Sequence, residues 1–123
     1  LLVYLEAAQV ADLGRDLAAR PACRWWLTDL GSPRLLKMLA RTWGDQLARG
    51  NAPFRFAPAE GSAFFAPLGW REGEFRSMWD GSLRLKRSMR FAAFWNLIGR
   101  LYPARAREEM RRMSGMLLLE RAP

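Results

Sequence analysis

The chain opens on Leu1-Leu2-Val3-Tyr4-Leu5, a wholly apolar and aromatic run with no polar lead-in. Both faces of such a segment need apolar neighbours, because water disfavours exposed leucine and valine surface. A chain that starts this way is expected to start inside a buried element. It is therefore expected to be the C-terminal part of a longer protein, a single partial domain spanning residues 1–123. Read by composition alone, the run itself resembles a buried strand.

Composition narrows the chemistry. The 123 residues suffice for one domain, and half of them are hydrophobic, which excludes a disordered chain. With no His in the sequence, zinc sites of the His/Cys type, Ser-His-Asp triads and an imidazole general base are excluded. No metal is expected. Cys23 stands alone, cannot form an internal disulfide, and favours a reducing, cytoplasmic setting. No apolar run approaches the ~18–20 residues of a membrane span, and no signal-peptide pattern is present.

Charge is unevenly spread. Of the net +8, residues 83–123 hold ten bases and three acids, a local +7. One reading is a basic module contacting nucleic acid or an anionic partner through 83–123. The other is a solvated face, with 18 of the 20 bases being Arg. No RNP-like, zinc or basic-zipper pattern accompanies the charge, so nucleic acid is not the expected partner.

Along the chain, Glu6 to Arg20 reads as a helix with Val10, Leu13 and Leu17 on one face, ended by Pro21. CRWWLTDL (Cys23–Leu30) reads as a buried strand, with Cys23 a small core residue. Gly31-Ser32-Pro33 reads as a turn with an N-cap at Ser32, followed by a helix placing Leu36, Leu39, Trp43 and Leu47 on one side until Gly50. Residues 51–67 form a long loop anchored by Phe54, Phe56, Phe64 and Phe65, with a short helix near 62–66. A strand is expected over 71–78, a helix capped by Asp80 over 81–88, an amphipathic segment from Phe91 to Tyr102, and a basic helix from Pro103 to Arg112. The run 115–121 closes the chain as a strand. Alternating helices and strands indicate an α/β fold.

These residues resemble a known family. LLVYL with the following EAAQVADLGRDLA, the block PFRFAPAEGSAFFAPLGWREGEFRS and the terminal MSGMLLLER are similar to the bacterial S-adenosylmethionine-dependent methyltransferases related to leucine carboxyl methyltransferases. The resemblance implies the C-terminal half of a class I (Rossmann-like) methyltransferase sheet. It places Leu1–Leu5 just after the fourth strand, at the mouth of the cofactor pocket, rather than in a strand. Cys23–Leu30, residues 71–78 and residues 115–121 become strands five, six and seven, in spatial order 5-7-6 with the last antiparallel. Residues 79–112 become a helical insertion. The implied cofactor is S-adenosylmethionine, and the implied partner a small-molecule methyl acceptor. The family's Gly-rich loop and ribose-binding acid have no counterpart here: the ten glycines are isolated and no GxG occurs. The chain by itself is thus expected to be inactive, and its open sheet edge to invite self-association.

Methyl transfer from a sulfonium is an in-line displacement helped by proximity, orientation and desolvation. A carboxylate acceptor is already nucleophilic, so the missing His does not oppose O-methylation. The resemblance puts Leu1 and Leu2 beside the cofactor and Tyr4 at the pocket mouth, where it lines the transfer site or packs in the core. Asp29, at the carboxyl end of its strand, contacts ligand or caps the next helix. Arg34 pairs with an anionic substrate or stays on the surface. Phe91 and Trp95 belong to a lid over the substrate, to an interfacial helix, or to a helix packed on its own core.

Overall fold

Strand and helix in this chain follow from period. The computed structural model describes residues 1–85 and 92–123. WWLTDLG alternates exposed and buried positions and forms β1, Trp25–Gly31. The other strands are β2, Trp70–Ser77, and β3, Ser114–Arg121. They make one sheet in the order β1-β3-β2, with β3 antiparallel to both neighbours, so β1 and β2 run parallel to each other. The order expected for these three segments, with the last in the middle, is the order found.

The helices are α1, Ala7–Ala18; α2, Pro33–Arg49; α3, Met78–Arg84; α4, Ala92–Gly99; and α5, Ala104–Arg111. Two 3₁₀ turns, Leu2–Tyr4 and Gly61–Leu68, complete the described elements. Ser32 caps α2 as its residue type suggests, its Oγ accepting the Leu35 N–H at 3.2 Å, with Pro33 at the first helical position.

Several local expectations are corrected. Leu2–Tyr4 is a single 3₁₀ turn and not a strand, because its backbone bonds close locally, Leu5 N–H to Leu2 C=O at 2.9 Å. Gly31 belongs to β1 rather than to a turn, since β3 extends to meet it at Ser114. The short helix expected near 62–66 is present as the 3₁₀ turn Gly61–Leu68, two residues longer than expected at its C-terminal end. Asp80 does not cap α3; it lies inside its first turn, and the Ser77 hydroxyl accepts the Asp80 N–H instead. Phe91 lies outside the described residues, and Trp95 is described only as a backbone position of α4.

One face of the sheet carries the core. Trp26, Thr28 and Leu30 of β1 and Leu117 and Leu119 of β3 point to α1 and the 61–68 turn, where Val10, Phe65, Leu68 and Trp70 are buried. Edge-to-face aromatic contacts knit this layer: Trp26–Phe65 at 5.3 Å, Trp26–Trp70 at 5.7 Å, Phe64–Phe65 at 5.3 Å and Phe56–Phe64 at 5.0 Å. The Trp70 indole N–H donates to the Gly14 carbonyl at 2.8 Å, tying β2 to α1. A Cβ at Gly14 would come within 3.1 Å of Leu68, so glycine lets α1 approach this closely.

The other face is open. Trp25 and Leu27 are 62% and 63% exposed, and Met116 stands beside them. Helix α2 is also only lightly covered: it has no buried residue, and Trp43 on its apolar side is 50% exposed.

Candidate functional site

Because β1 and β2 run the same way and β3 runs against them, the ends Gly31 and Ser77 and the start Ser114 gather at one rim of the sheet. Two cavities open there. The smaller, about 180 Å³, is mainly apolar, walled by Val3, Leu30, Leu35, Leu36, Leu39, Phe54 and Phe56, with Asp29 at its edge. The larger, about 460 Å³, is lined by Gly31, Ser32, Arg34, Glu60, Ser62, Phe75, Glu109 and Arg112. Leu30 and Gly31 line both, so the cavities flank the end of β1.

Three segments build the charged cleft. Glu72 of β2 accepts hydrogen bonds from the Ser62 hydroxyl and from the Arg112 guanidinium. That guanidinium also stands 4.8 Å from the centroid of the Phe75 ring. Burial pushes the Glu72 carboxyl up, but Ser62 and Arg112 outweigh it and hold the group below the usual carboxylate range. Arg112 further faces Glu108 at 3.6 Å, and Glu109 faces Arg105 at 3.6 Å. Arg34 forms no ion pair among the described residues, which leaves it as the uncommitted guanidinium of this cleft.

The structure gathers part of the expected set. Asp29 lies at the carboxyl end of β1 and its Oδ1 accepts from the Leu1 amino group at 3.3 Å. Tyr4 stacks at a tilt on Phe54, ring centroids 5.6 Å apart, next to the smaller cavity. The Val3 carbonyl accepts the N–H groups of Arg55 and Phe56, which holds the 51–60 segment against the first turn. Leu1 is exposed, whereas Leu2 is a core side chain. Arg34 lines the larger cleft, on the other side of Leu30 from Tyr4 and Leu1.

Sequence reasoning did not single out Ser62, Glu72, Phe75 or Glu109. Glu72 lies 10 residues from Ser62 and 40 from Arg112, so no local spacing signals the triad. Arg112 counted only as one charge of the basic tail. Among the described bases of that tail, Arg105, Arg111 and Arg112 face carboxylates: Arg111 donates to Asp80 at 2.8 Å through Nε, and Asp80 and Glu108 together hold it well charged.

No family model, curated protein or solved structure matches this chain. Among the described residues, no group of three or more His, Cys, Asp or Glu is placed to hold a metal ion, and no helix is long and apolar enough to cross a membrane.

Proposed function

We propose that this chain is the C-terminal part of an S-adenosylmethionine-dependent methyltransferase of the leucine carboxyl methyltransferase type, and that it supplies the acceptor side of the site. The observation that carries the reading is the sheet. Its last strand lies between two mutually parallel strands, both cavities flank the end of β1, and Phe75 near the end of β2 lines the larger. Ligands of open α/β sheets sit outside the carboxyl ends of the strands. In this reading β1, β3 and β2 are strands five, seven and six of a larger doubly wound sheet.

The residues present do not make a whole cofactor site. The apolar cavity of about 180 Å³ falls below the ~300–1,000 Å³ of a site for a drug-sized ligand. No Gly-rich loop occurs between residues 1 and 123. What this chain offers is therefore directed at the acceptor. Arg34 pairs with and orients an acceptor carboxylate in the larger cleft. Leu35, Leu36, Leu39, Phe54 and Phe56 keep water from the adjoining pocket and weaken hydration of that carboxylate. A carboxylate needs no proton removed, so no general base is required.

A basic module over residues 83–123 is the weaker reading. Arg105, Arg111 and Arg112 all face carboxylates, and Glu108 serves two of them. Calorimetric titration of S-adenosylmethionine tests the proposal, using this chain and the chain extended by the coding sequence ahead of Leu1. Binding by the extended chain supports it. Binding by neither rejects it.

A further inference from the structure

The opposite rim of the sheet carries a different chemistry. At the start of β1 and the end of β3 lies an open cleft of about 750 Å³, with Arg24, Trp25, Arg71, Glu120 and Arg121 in its wall. The seven residues of β1, at ~3.3 Å each, put it on the order of 20 Å from the two cavities described above. Three guanidinium groups from three stretches of chain meet one side-chain carboxylate.

That carboxylate is already committed, because Arg71 donates to Glu120 at 2.6 Å. Arg121 donates to a neutral acceptor, the Arg20 carbonyl, at 3.1 Å. The Arg24 guanidinium stands over the Trp25 ring, 5.3 Å from its centroid. Arg24 and Arg121 thus face the cleft with no carboxylate partner among the described residues. Trp25 is 62% exposed even with Arg24 above it. Trp25 belongs to the uncovered face of the sheet, so its indole is accessible to a ligand in the cleft.

We propose that this cleft binds a nucleotide, with the phosphate held by Arg24 and Arg121 and the base laid against Trp25. Guanidinium forks match phosphate oxygens, and an indole face stacks any base. The cleft volume lies within the ~300–1,000 Å³ usual for such ligands. The proposal stands apart from the methyl-transfer reading, since it uses the other end of the sheet.

A free mononucleotide and one residue of a single strand share this chemistry, so two titrations are needed. One follows AMP by calorimetry; the other follows a fluorescein-labelled ten-nucleotide oligouridylate by anisotropy. Binding is expected in at least one. AMP binding assigns a free nucleotide, and binding of the oligonucleotide alone assigns a strand. Trp25→Ala should weaken the bound ligand about tenfold or more. The pair Arg24→Gln and Arg121→Gln should weaken it similarly and flatten its salt dependence. Arg24→Gln alone, at an exposed position, guards against a folding defect, and each variant's unfolding midpoint is measured alongside. Arg105→Gln with Arg107→Gln should leave binding unchanged. The proposal is overturned if neither ligand binds at millimolar concentration. It is equally overturned if binding ignores Arg24, Trp25 and Arg121 but is lost with the α5 variants.

Discussion

The two faces of the sheet are built from the same strands and similar residues, yet they behave as core and surface. On β1, Trp26 and Leu30 face α1 and the 61–68 turn, while Trp25 and Leu27 face outward and remain mostly exposed. On β3, Leu117 and Leu119 are fully buried, whereas Met116 on the other side is not. Apolar character by itself does not decide burial; a covering element does. The comparison also separates what stabilises this chain from what is available for contact.

The largest effect tests the packed face. Phe65→Ala removes a fully buried ring that touches Trp26, Phe56 and Phe64. It should cost about 3–5 kcal/mol in urea unfolding, because the cavity left there cannot collapse between two layers. A cost under ~1 kcal/mol would mean that the layer is not the core.

Next comes Gly115→Ala, on the same face. A Cβ there would overlap the edge of the Phe75 ring and lie 2.6 Å from the Arg76 carbonyl oxygen. The ladder neighbours must move apart, and the loss should be about 1–3 kcal/mol by the same unfolding measurement. An unchanged midpoint would show that β2 and β3 are less tightly registered at this point.

A smaller effect tests the Ser62–Glu72–Arg112 contact beside the cleft. The Glu72 carboxyl is held below its ordinary value of 4.5 in the folded chain. Its contribution is therefore present above about pH 4.5 and lost as pH falls through the depressed folded value. In Glu72→Gln, the decline of stability on acidification below about pH 4.5 should be shallower than in the parent chain. Identical acid limbs would remove the Ser62–Glu72–Arg112 contact from the account.

The smallest effect comes from the open face. Leu27→Ala should change stability by no more than about 0.5 kcal/mol, since the side chain has little contact to lose. A loss of 2 kcal/mol or more, of the size seen for buried leucines, would show that something covers this face in solution. The contrast between Phe65 and Leu27 is the sharpest form of the comparison.

Much of the local architecture was legible. The strands at 25–31 and 114–121 fell within a residue or two of their sequence-predicted ends, and so did the cap at Ser32 and the stop at Gly50. Each has a short-range cause: a short apolar run, an oxygen positioned for an N-terminal N–H, or a residue that ends a helix readily. The Phe anchors of the 51–67 segment were legible for the same reason, as large apolar side chains in a stretch otherwise rich in Ala and Pro. The start of α3 was misread because two hydroxyl or carboxylate candidates, Ser77 and Asp80, stand three residues apart.

The charged constellations were not legible. Ser62, Glu72 and Arg112 come from a 3₁₀ turn, a strand and the end of a helix, and only the folded chain brings them together. Arg24, Arg71 and Arg121 are likewise scattered in sequence and meet only at the other rim. Counting charge along the chain directed attention to residues 83–123, where folding places carboxylates beside several of the bases.

From Leu1 onward, the sequence by itself determined a chain of helices and strands, with apolar segments separated by turns. Short-range sterics, periodicity and capping suffice for that. Only the tertiary structure decided that β3 runs between β1 and β2, that one face is core and the other open, and that three guanidinium groups gather beside Trp25. Those outcomes depend on contacts between residues tens of positions apart, and such contacts exist only once the strands have chosen their neighbours.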